Sequence, residues 1–294
     1  MLTIFACPKP FTDPHIAIIQ RNAITSWTLL RPRPEIILFG DEAGTAEICR
    51  ELGLRHVPEV ARNEFGTPLL NDIFEKAQRL ARYDLLCYVN ADIILMNDFM
   101  WAVMKVTKWR KNFLLTGQRH TVEITEYWSF GEAQWEAGLQ ELITRTGKVE
   151  MAFDYFVFPR GLYWDVPAFA IGRGWFDHWL IWRARARKVP VVDATSVVTA
   201  VHQKHDYSHA TGKKGAQITE LLLGEEARRN GEIACWGKRA YTIADATHRL
   251  TRWGLYWNPV GHFRVKAHCI HLRYVILRWT QWIRHPLGLR RART

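Results

Sequence analysis

Along the first 115 residues, short apolar runs of strand length alternate with longer stretches whose apolar positions recur every three or four residues. Residues 2–6 form the first run, broken by Cys7-Pro8-Lys9-Pro10, and residues 35–39 form the second, ending at Gly40-Asp41-Glu42. Residues 54–58 read as a short third strand, and helices are predicted over 15–29 and 45–52. Thr67 and Pro68 suit the N-cap and first-turn positions of a helix with the stripe Leu69, Leu70, Ile73, Phe74, Ala77 and Leu80. The fourth run, 85–89, is apolar throughout, as in a strand buried on both faces, and stops abruptly at Asn90-Ala91-Asp92. A helix over 98–111 follows. Such alternation predicts an α/β fold with a mostly parallel central sheet and helices on both faces.

The middle of the chain is less regular. Strands are predicted over 113–117, 154–161 and 189–193, and helices over 131–145 and from the Gly172-Arg173-Gly174-Trp175 turn to about 188. Three histidines, His202, His205 and His209, fall within eight residues. From Val265 the apolar positions Val265, Cys269, Leu272, Ile276, Trp279 and Ile283 make one helical stripe, ended by Pro286. With no internal repeat or low-complexity linker, the partition is a catalytic domain over 1–250 and an extension over 251–294. The domain divides into two halves, 1–115 and 116–250.

Charge changes this picture at the C-terminus. The chain carries +11 overall, yet no acidic residue follows Asp245, while ten arginines and lysines do. A basic, aromatic-bearing amphipathic helix fits an anionic membrane surface, or alternatively a helix packed on the domain with solvated arginines. Nothing in residues 1–245 supports a nucleic-acid partner. The five cysteines are scattered and lack metal-type spacing. With no secretory signal at the N-terminus, they predict reduced thiols in a cytoplasmic protein, at most at the inner face of a membrane.

Three strand ends carry polar residues that an open α/β sheet would bring to one crevice: Pro8-Lys9, Asp41 and Asn90-Asp92. Asn90-Ala91-Asp92 also reads as a plain Asx turn. Neither GxGxxG nor GxxxxGK[ST] occurs, which argues against dinucleotide oxidoreductases and P-loop NTPases. A nucleotidyltransferase lacks support because Cys7-Pro-Lys-Pro is not a Gly-rich basic loop.

Several motifs occur in order: Asn90-Ala-Asp92, Asp154-Tyr-Phe-Val-Phe-Pro-Arg-Gly161, Phe169-Ala-Ile-Gly-Arg173, Trp175-Phe-Asp-His-Trp179, Asp193-Ala-Thr195 and His202-Gln-Lys-His-Asp-Tyr-Ser-His209. Over roughly residues 2–250 the set resembles the GT-A glycosyltransferases, in particular a bacterial and plant group of nucleotide-diphospho-sugar transferases. The resemblance implies transfer of a sugar from a nucleoside diphosphate, UDP foremost, to a hydroxyl on a glycan or lipid-linked acceptor, as in polysaccharide biosynthesis. It implies Mn²⁺ or Mg²⁺ held by Asp92 with His202, or His205 second. Asn90, Ala91, Asp92, Pro8, Lys9, Asp41 and Arg173 would contact the nucleotide sugar, and Arg160 with Arg173 would pair with the diphosphate. Asp177 would be the base, with Asp154 the alternative; Asp177 equally suits the first turn of a helix on structural grounds. Trp164, Trp175 and Trp179 are candidates for an acceptor-stacking wall. The family's motif begins with Asp where this chain has Asn90, so one anionic oxygen is missing and Asp92 is left as the metal carboxylate. A non-catalytic sugar-binding protein fits the same residues.

Overall fold

The period-two alternation inside the apolar runs decides which helices cover which face of the sheet. In β1 (Leu2–Ala6), Leu2, Ile4 and Ala6 face one side and Phe5 the other; β2 (Glu35–Phe39) divides into Ile36 and Leu38 against Ile37 and Phe39. The first set packs on α1 (Pro14–Leu29), α2 (Thr45–Leu52) and α4 (Asn97–Trp109), the second on α3 (Leu70–Leu80) and α6 (Phe176–Ala186). On the second face Phe5, Phe74, Tyr88 and Phe158 pack edge-on and stacked at centroid separations of 5.1–6.2 Å. The result is a mixed α/β layer structure with helices on both faces, as the alternation predicts.

The structure is a computed structural model and describes residues 1–132, 134–206, 213, 215–234 and 240–262. The basic helix expected from Val265, and His209, lie outside the described residues. Among those described, no helix is long and apolar enough to cross a membrane, and Cys7, Cys49 and Cys87 are free thiols.

The central sheet has nine strands. β3 (Arg55–Val57), β2, β1 and β4 (Leu85–Val89) run parallel, in that spatial order. β9 (Tyr155–Pro159) is inserted antiparallel between β4 and β6 (Leu114–Thr116). Beyond it lie β10 (Val191–Asp193), β12 (His248–Thr251) and the antiparallel edge strand β13 (Gly254–Trp257). The sheet therefore continues past residue 250, where the sequence suggests an extension begins. The antiparallel insertion places the start of β9, not its end, beside the carboxyl ends of β1, β2 and β4. Asp154 thus reaches that edge, while Arg160 is carried to the opposite one, where it pairs with Asp84.

A second sheet, which the sequence pattern does not reveal, joins β5 (Ile93–Ile94), β11 (Ala200–Gln203), β7 (Arg119–Val122) and β8 (Lys148–Glu150). Its strands are two to four residues long, too short for a period-two signal. Thr67 and Pro68 do not start α3, which begins at Leu70 with Leu69 as N-cap. Instead Arg62 bridges Pro68, Leu69 bridges Ala170, and the Thr67 amide donates to Asn63 Oδ1. A side chain on the preceding loop thus takes the amide that a helical cap would leave in place.

The two sheets are tied through Gln203, which is fully buried. Its Nε2 donates to the carbonyls of Ile19 (2.7 Å) and Asp92 (3.1 Å), and its Oε1 accepts from Asn22 Nδ2 (3.0 Å). Asn22 in turn accepts from the Trp128 amide at 2.9 Å. Removing the amide strands several buried polar groups at once. Gln203→Ala is expected to lower unfolding stability by about 2–3 kcal/mol, read as a fall in the denaturation midpoint; an unchanged midpoint would show that the network is dispensable.

Candidate functional site

Strand register brings the first two site residues together. β5 leaves the Asn90–Asp92 turn directly, and its antiparallel pairing sets Ile93 opposite His202. His202 therefore lies beside Asp92 although 110 residues separate them in sequence. β11 also pairs with β7, placing Thr121 across from His202, and the Thr121 hydroxyl lies 3.3 Å from His202 Nδ1. His205 follows two residues after the strand, on a loop held to α1 by His15, whose ring meets the Lys204 carbonyl at 2.9 Å. One ligand atom each from Asp92, His202 and His205 lie within 4.8 Å of one another.

The site fits a divalent cation. Asp92 Oδ2 and His205 Nε2 are 3.0 Å apart, the spacing of two neighbouring ligands each about 2.1 Å from an octahedral ion. Asp92 Oδ1 is buried and has no hydrogen-bond partner among the described residues. Burial, reinforced by the Arg119 guanidinium, pulls the His202 imidazole down to about 3, so its lone pair stays available at working pH. For Asp92, burial alone would push the carboxyl up; the His205 contact and the Lys9 ammonium outweigh it and hold the carboxyl well below its ordinary range. Two imidazoles and a carboxylate suit Mn²⁺ better than Mg²⁺.

Lys9 enters from the end of β1. Gln20 clamps its backbone from both sides, accepting from the Lys9 amide at 2.6 Å and donating to its carbonyl at 2.9 Å. Lys9 Nζ lies 3.2 Å from His205 Nε2 and 3.6 Å from Asp92 Oδ2. Burial lowers the Lys9 ammonium from its ordinary value, and Asp92 opposes that shift.

Asn90 is committed to the protein. Its Oδ1 accepts from the Tyr88 hydroxyl (3.0 Å) and its Nδ2 donates to Asp154 Oδ1 (2.6 Å). The other Asp154 oxygen accepts from Arg119 at 3.0 Å, and Arg119 also holds Glu150 at 2.8 Å. Burial pushes the Asp154 carboxyl up, with Arg119 pulling the other way. Both oxygens of Asp154 are thus engaged. The Asx-turn reading of Asn90 does not hold, because its side-chain oxygen bonds Tyr88 rather than a backbone amide.

Around this group lies a cleft of about 480 Å³, lined by Pro8, Lys9, Asn90, Ala91, Asp92, Asp154, Arg173, Asp177, His202 and His205 among others. Asp41 does not line it. That side chain is exposed and ion-paired with Arg62, and after the turn at Gly40 (φ +96°) it is the following acid that faces inward. The inward residue is Glu42: one carboxylate oxygen takes Arg62 at 2.8 Å, and Oε2 is buried without a partner among the described residues. A Cβ at position 40 would lie 2.1 Å from that oxygen, so glycine makes room for it. In the sequence the adjacent acids Asp41 and Glu42 were indistinguishable.

On the opposite wall, the Gly172–Trp175 loop has positive φ at Gly172, Gly174 and Trp175, a conformation that costs a tryptophan about 1–2 kcal/mol. It turns Asp177, in the first turn of α6, into the cleft with Oδ1 buried and unpaired among the described residues. Arg173 lines the cleft too, but is paired with Glu226 (2.8 Å) of α8 (Glu225–Ala234). Trp179 is core, Trp164 is an exposed residue outside the cleft, and Trp175 packs against Gly231. The aromatic lining comes from Phe65, Tyr88, Phe153 and Phe176 instead. Sequence reasoning also missed Gln20, Glu42, Arg62 and Arg119. No local pattern marks Arg119 or Gln20, whose partners lie in other elements.

No protein-family model matches the chain, and no curated protein matches it. Among solved structures it is similar to glucosyl-3-phosphoglycerate synthase of M. tuberculosis, with 15% identity over 80% of this chain and 79% of that one and a TM-score of 0.46. The same synthase in complex with Mn²⁺, uridine diphosphate and phosphoglyceric acid matches at 15% identity over 77% and 78%, with a TM-score of 0.44. S. aureus TarS in complex with UDP-GlcNAc matches at 12% identity over 80% and 71%, with a TM-score of 0.46.

The Asn90–Asp154 contact explains why an amide stands at this position. A carboxylate there would face Asp154 Oδ1 across 2.6 Å, and two carboxylates so close cannot both stay ionised. Asn90→Asp is expected to cost about 2 kcal/mol at neutral pH, with the deficit shrinking as acid protonates one of the pair. Chemical denaturation at pH 7 and pH 4.5 reads this out; equal stability of the two proteins at pH 7 would contradict it.

Proposed function

We propose that the protein is a metal-dependent glycosyltransferase of the GT-A type, moving a sugar from a nucleoside diphosphate, UDP in our reading, to a hydroxyl of a glycan or lipid-linked acceptor. The observation that carries this reading is the convergence of Asp92, His202 and His205 on one wall of the cleft at the carboxyl ends of the strands.

Charge supports it. As the donor's glycosidic bond breaks, negative charge builds on the departing diphosphate. Among the described residues, each cation lining the cleft has a carboxylate partner: Lys9 with Asp92, Arg62 with Glu42 and Asp41, Arg119 with Asp154 and Glu150, Arg173 with Glu226. A divalent ion at Asp92, His202 and His205 supplies the charge stabilisation that these neutralised pairs do not. Pro8 and Ala91 shape the donor's place, and Glu42 with Arg62 takes over the nucleoside contact expected of Asp41. The free Glu42 oxygen accepts from a base N–H or a ribose hydroxyl.

Asp177 is the base in this reading. The acceptor oxygen bonds to the anomeric carbon while its proton passes to Asp177. The bond from that carbon to the diphosphate oxygen breaks, and its electron pair leaves with the nucleoside diphosphate. Asp154, with both oxygens engaged, positions Asn90 and Arg119 rather than moving a proton.

A second reading concerns where the acceptor lies. The β12–β13 hairpin exposes Trp253 (76%), Trp257 (54%) and Tyr256 (52%), and the Arg252 guanidinium sits 4.7 Å from the Trp253 ring centroid. Trp109 stands nearby against His248, with Arg110 over its ring at 5.2 Å. Exposed tryptophans interleaved with arginine, followed in sequence by 37 residues without an acid, suit peripheral docking on an anionic bilayer.

Thermal unfolding tests the donor reading. Mn²⁺ with UDP is expected to raise the melting temperature by a few degrees, about 2.7 kcal/mol at one hundred times Kd. Asp92→Ala should remove the metal's share of the shift. Asp177→Asn should keep the shift and lose sugar transfer; full transfer by that variant would move the base elsewhere. For the bilayer, co-sedimentation with phosphatidylglycerol vesicles should fall several-fold in the Trp253→Ser/Trp257→Ser double variant. Undiminished binding, or equal binding to neutral vesicles, would reject this docking edge.

A further inference from the structure

We infer that the Lys9 ammonium and the divalent ion are alternative occupants of the Asp92–His205 edge, so that the ion is held fully only once Lys9 has swung out of it. The inference rests on the reading of Asp92, His202 and His205 as cation ligands, and concerns what fills their place when no donor is bound.

The geometry around His205 carries it. Its Nδ1 lies 2.6 Å from the Asp206 carbonyl, which has no hydrogen to give, so Nδ1 carries the hydrogen and donates. Nε2 is then left facing two groups of opposite demand: the Asp92 carboxylate at 3.0 Å and the Lys9 ammonium at 3.2 Å. One ring nitrogen thus meets a carboxylate oxygen and an ammonium at the same edge. A cation between Nε2 and Oδ2 would satisfy both ligand atoms, and Lys9 Nζ stands at that same edge.

An ion there and the ammonium cannot coexist. With Nζ 3.2 and 3.6 Å from the two ligand atoms, an ion about 2.1 Å from each would sit within a few ångströms of a positive charge, in a partly buried site where repulsion is poorly screened. Lys9 has somewhere to go. Gln20 fixes only its backbone, leaving a four-carbon side chain free to rotate within the cleft that it already lines. A diphosphate entering that cleft is the group of opposite charge that receives it. Donor binding and ion binding are thereby coupled, each favouring the other.

The same clamp makes the test clean, because replacing the Lys9 side chain leaves its backbone contacts with Gln20 in place. Mn²⁺ binding to the full-length protein is titrated by electron paramagnetic resonance of the free ion, without substrate. Lys9→Met and Lys9→Gln are both expected to bind Mn²⁺ at least tenfold more tightly than the unaltered protein. Adding Asp92→Asn to Lys9→Met should abolish that gain, and UDP should tighten Mn²⁺ binding more in the unaltered protein than in Lys9→Met. Equal or weaker binding in both Lys9 variants, with binding still sensitive to Asp92→Asn, would overturn the exchange while leaving the metal site standing. Equal tightening by UDP in the two proteins would overturn the coupling. Binding insensitive to Asp92→Asn throughout would overturn the metal site itself, and this inference with it.

Discussion

A buried carboxylate, Asp92, at the end of a strand with apolar neighbours on both faces is the constraint around which the molecule is built. Burying such a charge alone is prohibitive, and the fold surrounds it with Lys9 from just past the first strand and two imidazoles over a hundred residues later, one in β11 and one on the loop after it. Each partner needs its own support. Gln20 fixes Lys9, Thr121 meets His202, and Gln203 locks the Asp92 carbonyl to α1. The second, short-stranded sheet is the device that makes this possible, since its register alone sets His202 against the turn holding Asp92.

The antiparallel insertion of β9 has a parallel logic. By running against its neighbours it delivers Asp154 to the cleft edge, where it is compensated by Arg119 and by the amide of Asn90. This accounts for the chain's departure from the acidic motif it resembles. The first motif position is an amide because the residue it meets, Asp154, is already a carboxylate, and that carboxylate also holds Arg119 against the wall. A loss of charge that looks in the sequence like a weakened site is, in the folded molecule, part of the hydrogen-bonded scaffold beside Asp92, His202 and His205.

Among the described residues, the cleft is a surface of closed ion pairs with three buried oxygens that lack a hydrogen-bond partner: Asp92 Oδ1, Glu42 Oε2 and Asp177 Oδ1. Three buried oxygens without partners, on three different elements and facing one cavity, mark where a ligand's donors or a cation belong. They fall beside the two histidines, beside Arg62 and on the opposite wall, the three places that the proposed nucleotide-sugar transfer would use.

The sequence by itself determined the layer architecture. Alternation inside five-residue apolar runs and the three-to-four spacing between them are local signals, and they dictate which strands and helices form and which faces they bury. It also singled out Asp92, a polar residue just past the end of an apolar run, while the histidine cluster and Asp177 stood out through the motifs that carry the resemblance. Tertiary structure alone decided which of two adjacent acids turns inward, that Arg160 leaves the site while Asp154 enters it, and that Arg119, Gln20 and Gln203 belong to it at all. Those outcomes depend on strand direction, register and contacts between residues distant in the chain, and such information resides in no single window of the sequence.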